Sequence, residues 1–339
     1  MRKIDVFSHL FPPAYFERMK QLARDQGAIK RWLTVPVLYD LAARMKMMDE
    51  FPGYQQILTL SSPPIEFIAG PEEAPALARL ANDGMAEIVA RHADRFPAFV
   101  ASLPMNNVGA ALEEMERAIR TLGACGIQVF TNVNGRALDE AEFWPIFERA
   151  TRLYDVPVWM HPARGANFPD YLGEKKSKFE IWWTFGWPYE TSAAMARMVF
   201  SGFFDRLPDL RLITHHMGAM IPFFDGRLGP GLDQLGSRTS DEDYEGLLKR
   251  MARRPIDYFR MFYADTALAG GRSGLRCGLD FFGADHVLFA CDCPFDPEGG
   301  PMFLRTIPQA IEELGLPQDE KEKIYFGNAL RLLRLKHST

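Results

Sequence analysis

The sequence predicts a (β/α)8 barrel, and two observations carry that prediction. Eight short β-branched or apolar runs alternate with longer helical patterns along nearly the whole chain, the rhythm of βα units that feed a parallel sheet. No GxGxxG or GxxxxGK[ST] follows any of these runs, which argues against an open doubly wound sheet built around a nucleotide.

In order, strands are expected near 4–9, 55–60, 98–103, 126–131, 157–161, 210–215, 261–265 and 287–292. Helices are expected over 38–49, 72–95, 110–122, 140–153, 190–203, 221–228, 274–281 and 301–314. No repeat of fixed period and no Gly-, Pro- or Ser-rich linker divides the chain, so residues 1–339 are expected to form one barrel domain. Two connections are too long for bare loops. The segment 164–188 holds Phe168, Tyr171, Phe179, Trp182, Trp183, Phe185 and Trp187, an aromatic density that predicts a lid over a site or a partner-facing surface. The other, 229–243, is Gly-rich and acidic and is expected to be a solvated excursion.

Composition narrows the function. Of 339 residues, 47% are hydrophobic and 24% charged, with a formal charge of -5. These are globular values that exclude a disordered or collagen-like chain. No long basic run exists, so neither nucleic acid nor an anionic membrane is an expected partner. An early charge at Asp5 and the lack of 18 uninterrupted apolar residues speak against a signal peptide or a spanning segment. Cys125, Cys277, Cys291 and Cys293 form no CxxC pair, and a cytoplasmic location is expected.

The chemistry is expected at the C-terminal ends of the strands, where barrel enzymes carry it. Strand one ends at His9, strand five at His161, strand six at His215-His216 and strand eight at Asp292. Four of the seven histidines thus stand at strand ends, while His92, His286 and His337 lie in helical or surface contexts. Imidazoles converging with a carboxylate are what Zn²⁺, Mn²⁺ or a similar divalent ion requires, and sequence-distant ligands are normal in a barrel.

The chain resembles the amidohydrolase superfamily, in its branch of aminocarboxymuconate semialdehyde, γ-resorcylate and dihydroxybenzoate decarboxylases. The resemblance rests on Ile4-Asp5-Val6-Phe7-Ser8-His9, on the run Arg44 to Glu50, on Val158-Trp159-Met160-His161-Pro162 and on Gly186-Trp187-Pro188-Tyr189-Glu190-Thr191. The block from Arg197 through Phe204-Asp205-Arg206-Leu207-Pro208-Asp209-Leu210 to Pro222 adds to it, as does the run Asp285 to Phe295.

The resemblance implies that His9, His161 and Asp292 ligate the metal, Zn or Mn, and that His216 is a general acid/base, with Asp292 an alternative proton donor. It implies that Arg44 holds a substrate carboxylate, that Trp187 lines the pocket and that Arg227 reaches a neighbouring subunit's site in a homodimer or homotetramer. Arg164 is a further candidate for an anionic oxygen. His215 occupies a position that is usually small and apolar and is read as supporting the site from behind. Phe7 stands where the family commonly has a metal-binding His or Glu, so it is assigned to the substrate side and three protein ligands remain. The implied activity is metal-dependent, non-oxidative decarboxylation of an aromatic or dienoic carboxylic acid. The alternatives are a metal-dependent hydrolase or hydratase acting on a lactone or ring-fission product, and a barrel without catalysis.

Overall fold

The computed structural model describes residues 1–23, 29–239 and 241–335. Its strands are β1 (Lys3–His9), β2 (Tyr54–Thr59), β3 (Ala98–Phe99), β4 (Ala101–Ser102), β5 (Ile127–Phe130), β6 (Asn132–Val133), β7 (Arg136–Ala137), β8 (Val158–His161), β9 (Leu212–Thr214), β10 (Tyr263–Asp265) and β11 (Val287–Leu288). β6 and β7 form a small antiparallel hairpin beyond β5, and every other pairing is parallel.

β3 and β4 are the two ends of one predicted strand, interrupted at Val100, whose N–H donates to Leu58 O. β3 pairs with β2 and β4 with β5, so the order runs β1, β2, β3/β4, β5, β8, β9, β10, β11. The ring closes between its last and first members. Val6 N–H donates to Phe289 O and His9 N–H to Cys293 O, and Ser8 bridges Cys293. All eight predicted strands are present, and several are shorter than expected. Closure is the (β/α)8 barrel.

The strands are buried on both faces, as a parallel sheet wrapped in helices demands. Inside the barrel, Ile4, Val6, Ile57, Val100, Trp159, Ile213 and Leu288 pack as one cluster, with Leu330 and Leu333 of the helix Asn328–Leu333 packed against it. Trp159 donates its indole N–H to Val6 O at 2.9 Å, so the largest interior side chain leaves no unpaired donor. Residue 126 must be glycine for the same reason: a Cβ there would stand 2.4 Å from the Trp159 ring.

Helix starts follow side-chain caps at Asp40, Asn107 and Asp243, which accept from backbone N–H groups of the first turn of Leu41–Asp49, Val108–Arg120 and Tyr244–Arg250. The solvated excursion expected after Gly229 is in part wound into helical turns, over Arg227–Gly231 and Leu232–Gln234. The aromatic segment 164–188 contains the short helix Ile181–Thr184 and ends in the first turn of Gly186–Phe200. No helix among the described residues is long and apolar enough to cross a membrane.

Candidate active site

The strand ends bring His9, His161, His215, His216 and Asp292 to one mouth of the barrel. His9 is the last residue of β1 and His161 the last of β8, while His215 follows β9 directly. Three of the four imidazoles, those of His9, His161 and His215, are turned by the outer nitrogen. His9 Nδ1 lies 3.1 Å from Thr59 Oγ1, at the end of β2. His161 Nδ1 donates to Pro162 O at 2.8 Å, and His215 Nδ1 donates to Asp265 Oδ2 at 2.5 Å. A carbonyl and a carboxylate only accept, so at His161 and His215 Nδ1 carries a proton, and Nε2 is the atom left to face inward.

One coordinating atom each from His9, His161 and His215 lie within 4.8 Å of one another, and the same holds for His215, His216 and Asp292. Asp292 Oδ1 stands 3.2 Å from His9 Nε2 and 3.4 Å from His215 Nε2; its Oδ2 is 3.8 Å from His216 Nε2. His9 Nε2 is buried and makes no well-directed hydrogen bond. A buried ring nitrogen without a directed partner, beside a carboxylate and further imidazoles, is an arrangement a cation completes, and imidazoles with a carboxylate fit zinc or manganese.

The electrostatics follow from burial and crowding. Burial lowers the basicity of His9, His161 and His216, with the neighbouring imidazoles adding to the effect. His215 is opposite: burial alone would lower it, but Asp265 and then Asp292 push it up to about 10. Burial would likewise raise Asp292, yet His215, His216 and His9 together hold its carboxyl well below the usual carboxylate range.

Backbone geometry sets the rest. His216, Met217, Gly218 and Ala219 all have φ between 55° and 68°, a left-handed run that L-residues adopt only when their surroundings enforce it. Asp265 anchors its start, accepting from His216 N–H and from Ala267 N–H at 3.0 Å each. Asp292 has φ 55°, a region aspartate tolerates better than most side chains.

The comparisons with known proteins agree with this geometry. The Amidohydrolase family profile matches residues 20–335. The chain belongs to the amidohydrolase family. It is 31% identical over 319 residues to 2-amino-3-carboxymuconate-6-semialdehyde decarboxylase of Dictyostelium discoideum, covering 94% of this chain and 76% of that one. It is 32% identical over 305 residues to γ-resorcylate decarboxylase of a Polaromonas species, covering 86% of each. A solved dihydroxybenzoic acid decarboxylase from Polaromonas sp. JS666, with bound manganese and the inhibitor 2-nitroresorcinol, superposes with a TM-score of 0.79 at 28% identity, over 98% of this chain and 97% of that one.

Within this amidohydrolase site, two residues expected to meet substrate, Arg44 and Phe7, are buried among protein partners. Arg44 was expected to meet a substrate carboxylate, but it is fully buried. Its guanidinium donates to Gln56 Oε1, to the carbonyls of His9 and Val37 and to Cys293 Sγ. These partners use the fork that would have gripped an anion, and Arg44 braces the backbone beside two mouth residues instead. Phe7, assigned to the substrate side, is also buried, lying face to face with His215 at 4.1 Å between ring centroids and 6.0 Å from His9.

The remaining candidates lie at or beyond the mouth. Trp187 comes from the aromatic segment and packs edge-on against His161 and roughly parallel to His216, at 5.5 and 6.2 Å between centroids. Its indole N–H donates to Arg164 O. Arg164 itself pairs with Glu190 at 2.7 Å. Arg227 is exposed on the surface and lies over Phe224.

Thr59 and Asp265 escaped the sequence reading. The signal was available, since β2 and β10 end on these polar residues as β1 and β8 end on histidine.

Proposed function

We propose that the protein is a metal-dependent, non-oxidative decarboxylase of an aromatic or dienoic carboxylic acid. The observation that carries this reading is the gathering of His161 and Asp292 around His9 at the barrel mouth, with Asp292 Oδ1 3.2 Å from a His9 Nε2 that makes no well-directed hydrogen bond. The likeness to decarboxylases of aromatic and muconate-type acids supports it. His9, His161 and Asp292 hold a divalent ion, manganese or zinc. When bound, that ion supplies Lewis acidity toward substrate oxygens and lowers the pKa of water.

The chain's own residues do the rest. His216 faces the pocket with Nε2 3.8 Å from Asp292 Oδ2, and this pair carries the proton delivered to the ring or diene carbon that bears the carboxylate. A C–H bond forms there as the C–C bond breaks and CO₂ leaves, so no oxidant or reductant is consumed. Trp187 offers an aromatic face beside His216 and His161 and, with the lid around it, keeps water from the reacting carbon. With Arg44 committed to the fold, Arg164 is the nearer candidate for an anionic oxygen, once substrate competes with Glu190 for it.

The closed barrel supports reading the chain as one catalytic unit. Exposed Phe179, Phe185, Tyr171 and Leu172 on the lid support a homodimer or homotetramer that covers them, in which Arg227 approaches the neighbouring site. Four free thiols are in keeping with the cytoplasm.

The test is a CO₂-release screen over hydroxybenzoates and muconate-type acids, run with metal analysis and in ¹⁸O-labelled water. Chelator-sensitive CO₂ release is the expected outcome. Incorporation of label into product without CO₂ would instead identify a hydrolase or hydratase.

A further inference from the structure

We propose that His215 is itself a metal ligand, the fourth protein donor beside His9, His161 and Asp292. This rests on the metal-dependent reading above and adds a residue to it. Phe7 shares the barrel interior with the mouth histidines but presents only carbon to them, so β1 contributes one donor, His9. The vacancy on that side is filled from β9.

Two distances support the assignment. Donors bound to one ion at about 2.0–2.2 Å stand roughly 2.8–3.6 Å from each other. Asp292 Oδ1 is 3.2 Å from His9 Nε2 and 3.4 Å from His215 Nε2, both within that range. His215 also shares a 4.8 Å cluster with His9 and His161. It is the one residue common to both donor groups of the site.

Its other contacts are those of a ligand. Nδ1–H is given to Asp265, the carboxylate–imidazole arrangement that fixes tautomer and ring direction in metal sites. Asp265 is itself held by the N–H groups of His216 and Ala267. Phe7 lies flat against the ring and excludes water from that face. His216 differs in distance and in exposure. Its Nε2 is farther from the carboxylate, at 3.8 Å, and its side chain is 20% exposed, against 0% for His215. The two adjacent histidines therefore divide the work: His215 binds the ion and His216 stays free to move a proton.

The experiment counts coordinated imidazoles in the Mn(II)-loaded protein by pulsed EPR of the ¹⁴N couplings, alongside Mn(II) affinity by titration of the chelator-stripped chain. Wild-type protein should show three coordinated imidazoles. His215→Ala should show two, with affinity reduced by more than the 10- to 100-fold that loss of a merely supporting partner costs. Phe7→His in the His215→Ala background should regain part of that affinity.

Two imidazoles in the wild type, or the same count in His215→Ala, would overturn the inference while leaving metal dependence intact. Failure of the wild type to bind Mn(II), Co(II) or Zn(II) would overturn the metal reading itself. Where His215→Ala does not fold, His216→Asn decides: three coordinated imidazoles retained there assign the third to His215, and a drop to two would overturn the inference.

Discussion

Phe7 lies nearly flat against His215, its ring centroid 4.1 Å away and the two planes inclined by 21°. An apolar side chain thus sets the plane of the imidazole that Asp265 orients from the other side. Phe7→Ala leaves a cavity at that contact. It should cost about 3–5 kcal/mol of stability, the usual range for truncating a buried phenylalanine. Denaturant unfolding in excess chelator measures this without the contribution of bound ion. A loss near zero would mean that the ring is held by Asp265 alone.

His216→Asn should lower kcat by about 10²- to 10⁴-fold, the usual worth of a general acid/base, while bound metal stays near the wild-type level. His216 is the more exposed of the two adjacent histidines and packs beside Trp187. Steady-state kinetics with elemental analysis check both halves. Unchanged turnover, or loss of the ion, would exchange the roles given to residues 215 and 216.

Arg44→Lys should act on stability rather than on substrate binding, because the guanidinium is spent on Gln56, His9 O and Cys293 Sγ. A lysine keeps the charge but cannot reproduce the fork. The cost should be roughly 1.5–3 kcal/mol for each charged hydrogen bond lost. Thermal unfolding with KM for an acidic substrate separates the two roles: a lowered Tm with KM little changed is expected. A selective rise in KM would restore Arg44 to the pocket.

Glu66 makes stability depend on pH. Burial pushes its carboxyl up to about 8 from 4.5, and its Oε1 meets no hydrogen-bond partner. Between those values the folded chain keeps a proton that the unfolded chain releases, so stability falls as pH rises through the window. Asp5, pushed by burial to about 7, works in the same direction. Glu66→Gln should flatten the fall in Tm between pH 5 and 8, by about 1–2 °C for each kcal/mol involved in a chain of 339 residues. Identical slopes in both proteins would show Glu66 to be ionised at neutral pH.

Much of the architecture was legible because it is local and periodic. Apolar runs separated by helical patterns mark β1, β2, β5, β8 and the others, and strand direction then carries His9, His161 and Asp292 to one end of the barrel whatever the loops do. The register irregularity between Asp5 and Ser8 left no trace in the sequence, and it breaks the simple alternation by which 5, 7 and 9 would share a face. The burial of Arg44 was not legible, because a family pattern names a residue type while the contacts around it reach to Cys293, 249 residues away.

By itself the sequence determined the closed barrel and the set of histidines and carboxylate at its mouth, since both follow from hydrophobic period and strand ends. Only the tertiary structure decided what each ring does. The inward turn of His215 depends on Asp265, 50 residues on, and on Phe7 beneath it. A hydrogen bond's direction and a ring's plane are set by contacts across the fold, at distances of a few ångströms that the order of residues does not encode.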